Sequence, residues 1–174
     1  MTDSDIGISA GRGSSPGATG RLFPDATLPL LDGGTLSLDS FRPRNDLVIV
    51  MLGRGTIVSP VRRLLDQLDG ARREVSAEDG QVVAIAAADP RDWREAWLYG
   101  VPLAFDAHGA LHRRVAATDE AGAPAAAVYV TDRYREIYAV LRPAQARWPA
   151  NAREVIEWLT FANIQCPECN APGM

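Results

Sequence analysis

The chain has 174 residues and a formal net charge of −4, with 47% hydrophobic and 23% charged residues, the proportions of one folded domain with a substantial core. All 18 basic residues are arginine, which excludes Schiff-base chemistry on a lysine and a phosphate-binding P-loop. The acidic balance speaks against a broad nucleic-acid footprint. No apolar run reaches the length of a membrane span, and the start Met1-Thr2-Asp3-Ser4-Asp5 has no secretory pattern. The expected partners therefore include neither nucleic acid nor membrane, and the expected address is the cytoplasm.

Residues Met1 to Gly20 are rich in Gly, Ser, Thr and Asp without period and read as an N-terminal arm. Leu22 to Leu31 is an extended segment broken by proline, and Asp32-Gly33-Gly34-Thr35 is a hairpin-type turn followed by alternating Leu36 and Leu38. Leu47 to Leu52 is apolar throughout and predicts a central strand buried on both faces. After the loop Gly53-Arg54-Gly55-Thr56, Ser59 reads as an N-cap and Pro60 as the first helical residue. Val61, Leu64, Leu65 and Leu68 form one apolar stripe opposite Arg62, Arg63, Asp66 and Asp69.

Val82 to Ala87 predicts a second buried strand, and Asp89-Pro90 opens a helix through Trp93 and Trp97. Leu103-Ala104-Phe105 predicts a third strand, closed by Asp106-Ala107-His108-Gly109 and followed by a short helix from Leu111 to Val115. Ala126 to Val130 and Glu136 to Val140 read as an antiparallel hairpin. Asn151-Ala152-Arg153-Glu154 is a capping box; it opens a last helix with Val155, Trp158, Leu159 and Ala162 on one face, and Pro167 prevents its continuation. Strands alternating with helices imply parallel pairing, and the late hairpin adds an antiparallel edge. The expected fold is α/β: a mixed central sheet with helices on both faces and an N-terminal hairpin extension. Residues 1–20 form the arm, 21–165 the domain and 166–174 a C-terminal tail.

This order of segments resembles the peroxiredoxin-like branch of the thioredoxin fold, the alkyl hydroperoxide reductase/thiol-specific antioxidant family. Four stretches carry the resemblance: Gly20 to Asp25 with Leu28, Asp32-Gly33 and Leu36-Ser37-Leu38; Val48 to Leu52 with Arg54-Gly55 and the helix from Pro60; Pro102 to Gly109; and Val128 to Asp132. The resemblance implies an antioxidant oxidoreductase served by a thioredoxin-type reductant or acting on a disulfide substrate, in a fold often used for homodimers. The family's thiols do not carry over. In one register of the loop, Val58 and Val61 occupy both cysteine positions; in the other, Thr56-Ile57-Val58-Ser59 matches Thr-x-x-Cys, and Ser59 stands where the peroxidatic thiol belongs. Ala126 falls at the family's Arg or cis-proline position, and Pro124 lies two residues early. A serine hydroxyl has neither the anionic form near neutral pH nor the sulfenic chemistry that peroxide reduction needs.

The chain's two cysteines, Cys166 and Cys169, form a Cys-x-x-Cys pair beyond the last helix. They read as a redox dithiol, as half of a tetrahedral zinc site shared between two subunits, or as two unpaired thiols in a tail. A helix from Ala152 to Gln165 is about 20 Å long, so the topology delivers the dithiol to the pole opposite the Ser59 loop. His108 and His112 read as partly exposed surface histidines, and Trp93, Trp97, Trp148 and Trp158 as packing anchors. Any redox activity is thus expected at Cys166 and Cys169 without a resident cofactor; the alternative is a non-catalytic binding or scaffold module.

Overall fold

The computed structural model describes residues 18–54, 59–89, 91, 93, 97–142 and 151–165. The chain opens with a small antiparallel hairpin, β1 (Thr27–Pro29) and β2 (Thr35–Ser37), which a short 3-10 turn, Leu38–Phe41, links to the main sheet. Gly33 makes the hairpin turn at φ +93°, a backbone angle that side chains with a Cβ rarely adopt. Strand β3 (Asp46–Leu52) leads to helices α1 (Ser59–Gly70) and α2 (Arg72–Ala77), then β4 (Gly80–Ala86), β5 (Leu103–Phe105) and helix α3 (Ala110–Arg114). The hairpin β6 (Ala127–Thr131) and β7 (Ile137–Leu141) follows, and helix α4 (Ala152–Ile164) comes last.

The main sheet has five strands in the order β5-β4-β3-β6-β7. β3, β4 and β5 run parallel, and β6 and β7 are antiparallel. Every residue of β3 is buried, as its unbroken apolar run predicts for a central strand.

The pleat sends alternate residues to opposite faces. Val48, Val50, Leu52, Val82, Ala84, Val128 and Val130 join the stripe Val61, Leu64, Leu65 and Leu68 of α1, Val75 of α2, and Val155 and Leu159 of α4 in one core. Leu47, Ile49, Met51, Val83, Ile85 and Tyr129 face the other way, onto Phe23, Leu38, and Leu111 and Val115 of the α3 segment. Helices therefore cover both faces, and the architecture is thioredoxin-like.

The N-terminal segment straps the α3 face and reaches both sheet edges. Gly20 N donates to Ile137 O at 2.8 Å and Ile137 N to Arg21 O at 2.8 Å, while Leu31 N donates to Leu103 O at 3.1 Å. At the last helix, the Asn151 side chain accepts from Glu154 N at 3.2 Å, as the capping box predicts.

Some boundaries differ from the sequence reading. Helix α1 takes in Ser59 itself, one residue earlier than expected, so Pro60 is not its first residue. Helix α2 and the Leu38–Phe41 turn were not anticipated, each being too short to show a period. Of the helix expected from Asp89 through Trp97, Pro90, Asp92 and residues 94–96 lie outside the described residues. Trp97 N does donate to Trp93 O at 3.0 Å, the i to i−4 spacing of a helical turn. Trp93 is buried, and the Trp97 indole donates to Val101 O at 3.0 Å. Both therefore pack as anchors.

Candidate functional site

The pole at the C-terminal ends of β3 and β4 is where the sequence places the family's loop. Strand β3 ends at Leu52, Gly53 and Arg54 follow, and α1 begins at Ser59. Thr56 and Val58 lie outside the described residues, and so do Cys166 and Cys169. Val61 is 2% exposed and sits in the core under α1. One of the two candidate cysteine positions thus points away from solvent.

Pro124 and Ala125 close over this strand end. A Cβ on Gly53 would come within 3.0 Å of Pro124 O, and one on Gly109 within 2.7 Å of Pro124 Cγ. Gly109 also sits at φ +65°, so both backbone angle and space call for glycine there. The cis peptide among the described residues is Arg42–Pro43, so Pro124 is trans. Ala126, half-buried ahead of β6, offers no guanidinium where the family has an arginine or a cis-proline.

The chemistry-bearing group the structure puts here is one the sequence reading placed on the surface. His112 is fully buried, a correction to that expectation; His108 is exposed. The His112 ring bridges two elements: Nδ1 lies 2.8 Å from Asp106 Oδ2, and Nε2 lies 2.9 Å from Leu52 O. A carbonyl only accepts, so Nε2 donates. Leu52 O also accepts from Ala87 N at 3.2 Å. Asp106, 6% exposed at the end of β5, accepts from Ala110 N and His112 N at 2.9 Å each, capping α3.

This is a clasp rather than a general base, since both ring nitrogens are engaged and no solvent reaches them. It ties α3 and the β5 turn to the last carbonyl before the loop. The signal for it lay in the sequence. Leu111 and Val115 face the core, and His112 beside Leu111 falls on the same helical face.

Below the clasp, the Tyr129 hydroxyl donates to Val115 O at 2.5 Å, and Arg142 Nη2 lies 3.2 Å from the phenol oxygen. Burial raises the Tyr129 phenol above its usual range, with Arg142 pulling the other way. Beyond β4, hydrogen bonds from the Arg91 side chain and backbone hold Asp89 down to about 2. That makes Asp89 a surface ion pair and not an acid for catalysis. Among the described residues, no three His, Cys, Asp or Glu side chains gather as metal ligands.

The opposite pole holds a second missed group. Asp46 opens β3 at 1% exposure, its carboxyl facing Arg133 of the β6–β7 turn. Burial pushes its carboxyl up to about 6, against the pull of Arg133, whose Nε is 3.6 Å away. Helix α4 ends at this pole. Asn163 Nδ2 donates to Glu78 O at 2.7 Å and Asn163 Oδ1 accepts from Arg133 Nη2 at 2.9 Å, so Gln165, the last residue before Cys166, stands at the far end of the sheet from Leu52.

Comparison with solved structures returns the same architecture. Peroxidoxin BcpB of Mycobacterium tuberculosis superposes with a TM-score of 0.70 at 18% identity, covering 81% of this chain and 95% of that one. AhpC of the same organism gives 0.70 at 19% identity, covering 87% and 94%. A DsbE of Chlorobium tepidum, described as a thiol:disulfide interchange protein, gives 0.62 at 18% identity, covering 84% and 97%. No curated protein matches by sequence. At these identities the superpositions establish the fold. The AhpC/TSA family model matches residues 19–140, a span running from the N-terminal strap through both poles of the sheet into β7. The chain belongs to the AhpC/TSA family of thioredoxin-fold antioxidant and thiol oxidoreductase proteins.

Proposed function

We propose that this chain is a thiol–disulfide oxidoreductase whose usual cysteine loop is degenerate and whose redox chemistry resides in Cys166 and Cys169. One observation carries the reading. The only two cysteines of the sequence are this pair, beyond α4, while Val58 and Val61 in one register of the loop, or Ser59 after the matching Thr56 in the other, fill the positions where the family keeps its thiols. Support comes from the family membership, from the burial of Val61, and from the position of Gln165 at the opposite pole.

In the reaction, one thiolate of the pair attacks a substrate disulfide and breaks its S–S bond, giving a mixed disulfide and one released thiol. The second thiolate displaces the first substrate sulfur. The substrate leaves with two thiols, and a Cys166–Cys169 disulfide remains; two electrons and two protons have moved. A thioredoxin-type reductant restores the dithiol. The chain works in this reading as a cytoplasmic protein and as a homodimer.

A binding or scaffold role is the second reading. The close approach of Pro124 O to Gly53 and the engagement of His112 with Leu52 O favour it. A zinc held by the tail would draw thiolates from two chains, giving one ion per dimer. The test is disulfide reduction followed with a thioredoxin-type reductant, in the wild type and in Cys166→Ser/Cys169→Ser. The redox reading expects turnover lost in the double variant. Turnover that survives places the chemistry elsewhere, and no turnover in either protein favours the binding module.

A further inference from the structure

Strand β4 is paired unequally on its two sides. β3 runs beside all of it, from Gly80 to Ala86, whereas β5 meets only Ala84, Ile85 and Ala86. Ala84 N donates to Pro102 O at 2.9 Å, which points that peptide group towards the β5 side. Peptide groups alternate sides along a strand, so Val82, two residues back, offers its N–H and C=O to the same side. No described residue takes them up. The chain ahead of β5 is drawn off to other partners. Gly100 N donates to Asp69 Oδ1 at 2.9 Å, and the Trp97 indole holds Val101 O at 3.0 Å.

The gap is a cavity of about 220 Å³ between α2, the start of β4 and residues 100–102. Val75, Val82 and Val101 give it a buried apolar floor, and Arg72 stands in its wall. The Arg72 Nε is committed, donating to Asp69 O at 3.1 Å with Asp69 Oδ1 at 3.3 Å. Both Nη groups are without a partner among the described residues. Gly100 makes room for this guanidinium, since a Cβ there would collide with Arg72 Nη1.

An open strand edge pairs with an extended backbone, and the free fork of a guanidinium pairs with a carboxylate. One chemical group meets both demands, the last peptide unit of a chain that ends in a free carboxylate. The volume is below the ~300–1,000 Å³ of a site for drug-sized ligands and suits about two residues. We propose that this groove binds the C-terminal end of a partner polypeptide, with its last amide on the Val82 edge, its carboxylate on Arg72 and an apolar terminal side chain among Val75, Val82 and Val101. Asp69 is the positioning residue, fixing Arg72 through Nε and turning Gly100 away from β4. The site lies on the β5 flank of the sheet and does not rest on the redox reading.

Titration of the full chain with N-acetyl-Ala-Val and with its C-terminal amide, followed by amide NMR, tests this. The acid is expected to shift the Val82 and Gly100 signals saturably, with a Kd of about 1 mM for a ligand of this size. Its amide is expected to bind about 5- to 10-fold more weakly, a modest factor because Arg72 is 58% exposed. Arg72→Gln is expected to bring acid and amide to the same Kd. Gly100→Ala displaces only the flexible end of Arg72 and is expected to show the same loss with an unchanged circular dichroism spectrum. Equal affinity of acid and amide for the wild type overturns the proposal. So does an unchanged preference for the acid in Arg72→Gln, or a Val82 signal that does not move up to about 10 mM peptide. Unblocked Ala-Val binding more than about tenfold tighter than the acetylated form would assign the groove to free dipeptides and overturn the assignment to a chain end.

Discussion

Replacing His112 with alanine tests the clasp at the head of β3. The ring spends one N–H on the Leu52 carbonyl and meets the Asp106 carboxyl with its other nitrogen, with no solvent contact. A hydrogen bond involving a charged group contributes about 1.5–3 kcal/mol and a neutral one about 0.5–1.5 kcal/mol. The space left by the ring adds a cavity term. Partners that remain limit the loss, since Leu52 O keeps Ala87 N, and Asp106 keeps the Ala110 and His112 backbone N–H groups. The expected cost is about 2–5 kcal/mol, from the two lost hydrogen bonds together with the cavity.

Urea unfolding at pH 7, followed by far-UV circular dichroism and tryptophan fluorescence, measures it. His112→Asn, whose amide still reaches Asp106, is expected to recover about half of the loss. His108→Ala, on the surface, is expected to shift stability by no more than about 0.5 kcal/mol. A cost for His112→Ala below about 1 kcal/mol would refute the reasoning, because a fully buried ring with two such contacts cannot be removed that cheaply.

Gly109→Ala combines a positive φ with a Cβ 2.7 Å from Pro124 Cγ, and is expected to cost about 1–3 kcal/mol in the same unfolding assay. Asn151→Ala removes the cap on Glu154 N and is expected to cost about 1 kcal/mol. Asp46→Asn is expected to stabilise the protein at pH 8 and to have no effect below pH 4. The folded carboxyl titrates at about 6 and the unfolded one near 3.8, so the wild type loses stability as pH rises through that interval. The loss approaches about 3 kcal/mol above it, read as the difference between variant and wild type in unfolding at a series of pH values.

Strands β3 and β4 were legible because Leu47–Leu52 and Val82–Ala87 are apolar without interruption, which only a strand covered on both faces requires. The α1 stripe and the Asn151 cap were legible for the same local reason, each being complete within one or two turns of chain. Helix α2 was not, since Arg72–Ala77 offers a single buried residue, Val75. His112 was misplaced on the surface with His108 because nothing beside it in the chain marks its partners. Its actual partners, Asp106 and the Leu52 carbonyl, lie six and sixty residues away. Asp46 looked like a loop charge ahead of an apolar run. Its burial comes from the β6–β7 turn, the α2–β4 turn and α4 meeting over it, which no local pattern encodes. The missing thiols at Val58, Ser59 and Val61 were plain from the sequence, because a cysteine's absence needs no fold to be seen.

The central claim is that the dithiol carries the redox chemistry, and the most direct measurement of it is the mass of the intact protein after thiol alkylation. Protein oxidised with a small disulfide, then freed of it, is expected to take up no alkyl groups. The same sample treated with a thioredoxin-type reductant is expected to take up two, at Cys166 and Cys169, while the mass shows a two-hydrogen difference and no retained adduct. Two alkyl groups on the oxidised sample would mean that the pair does not close into a disulfide, and would contradict the account.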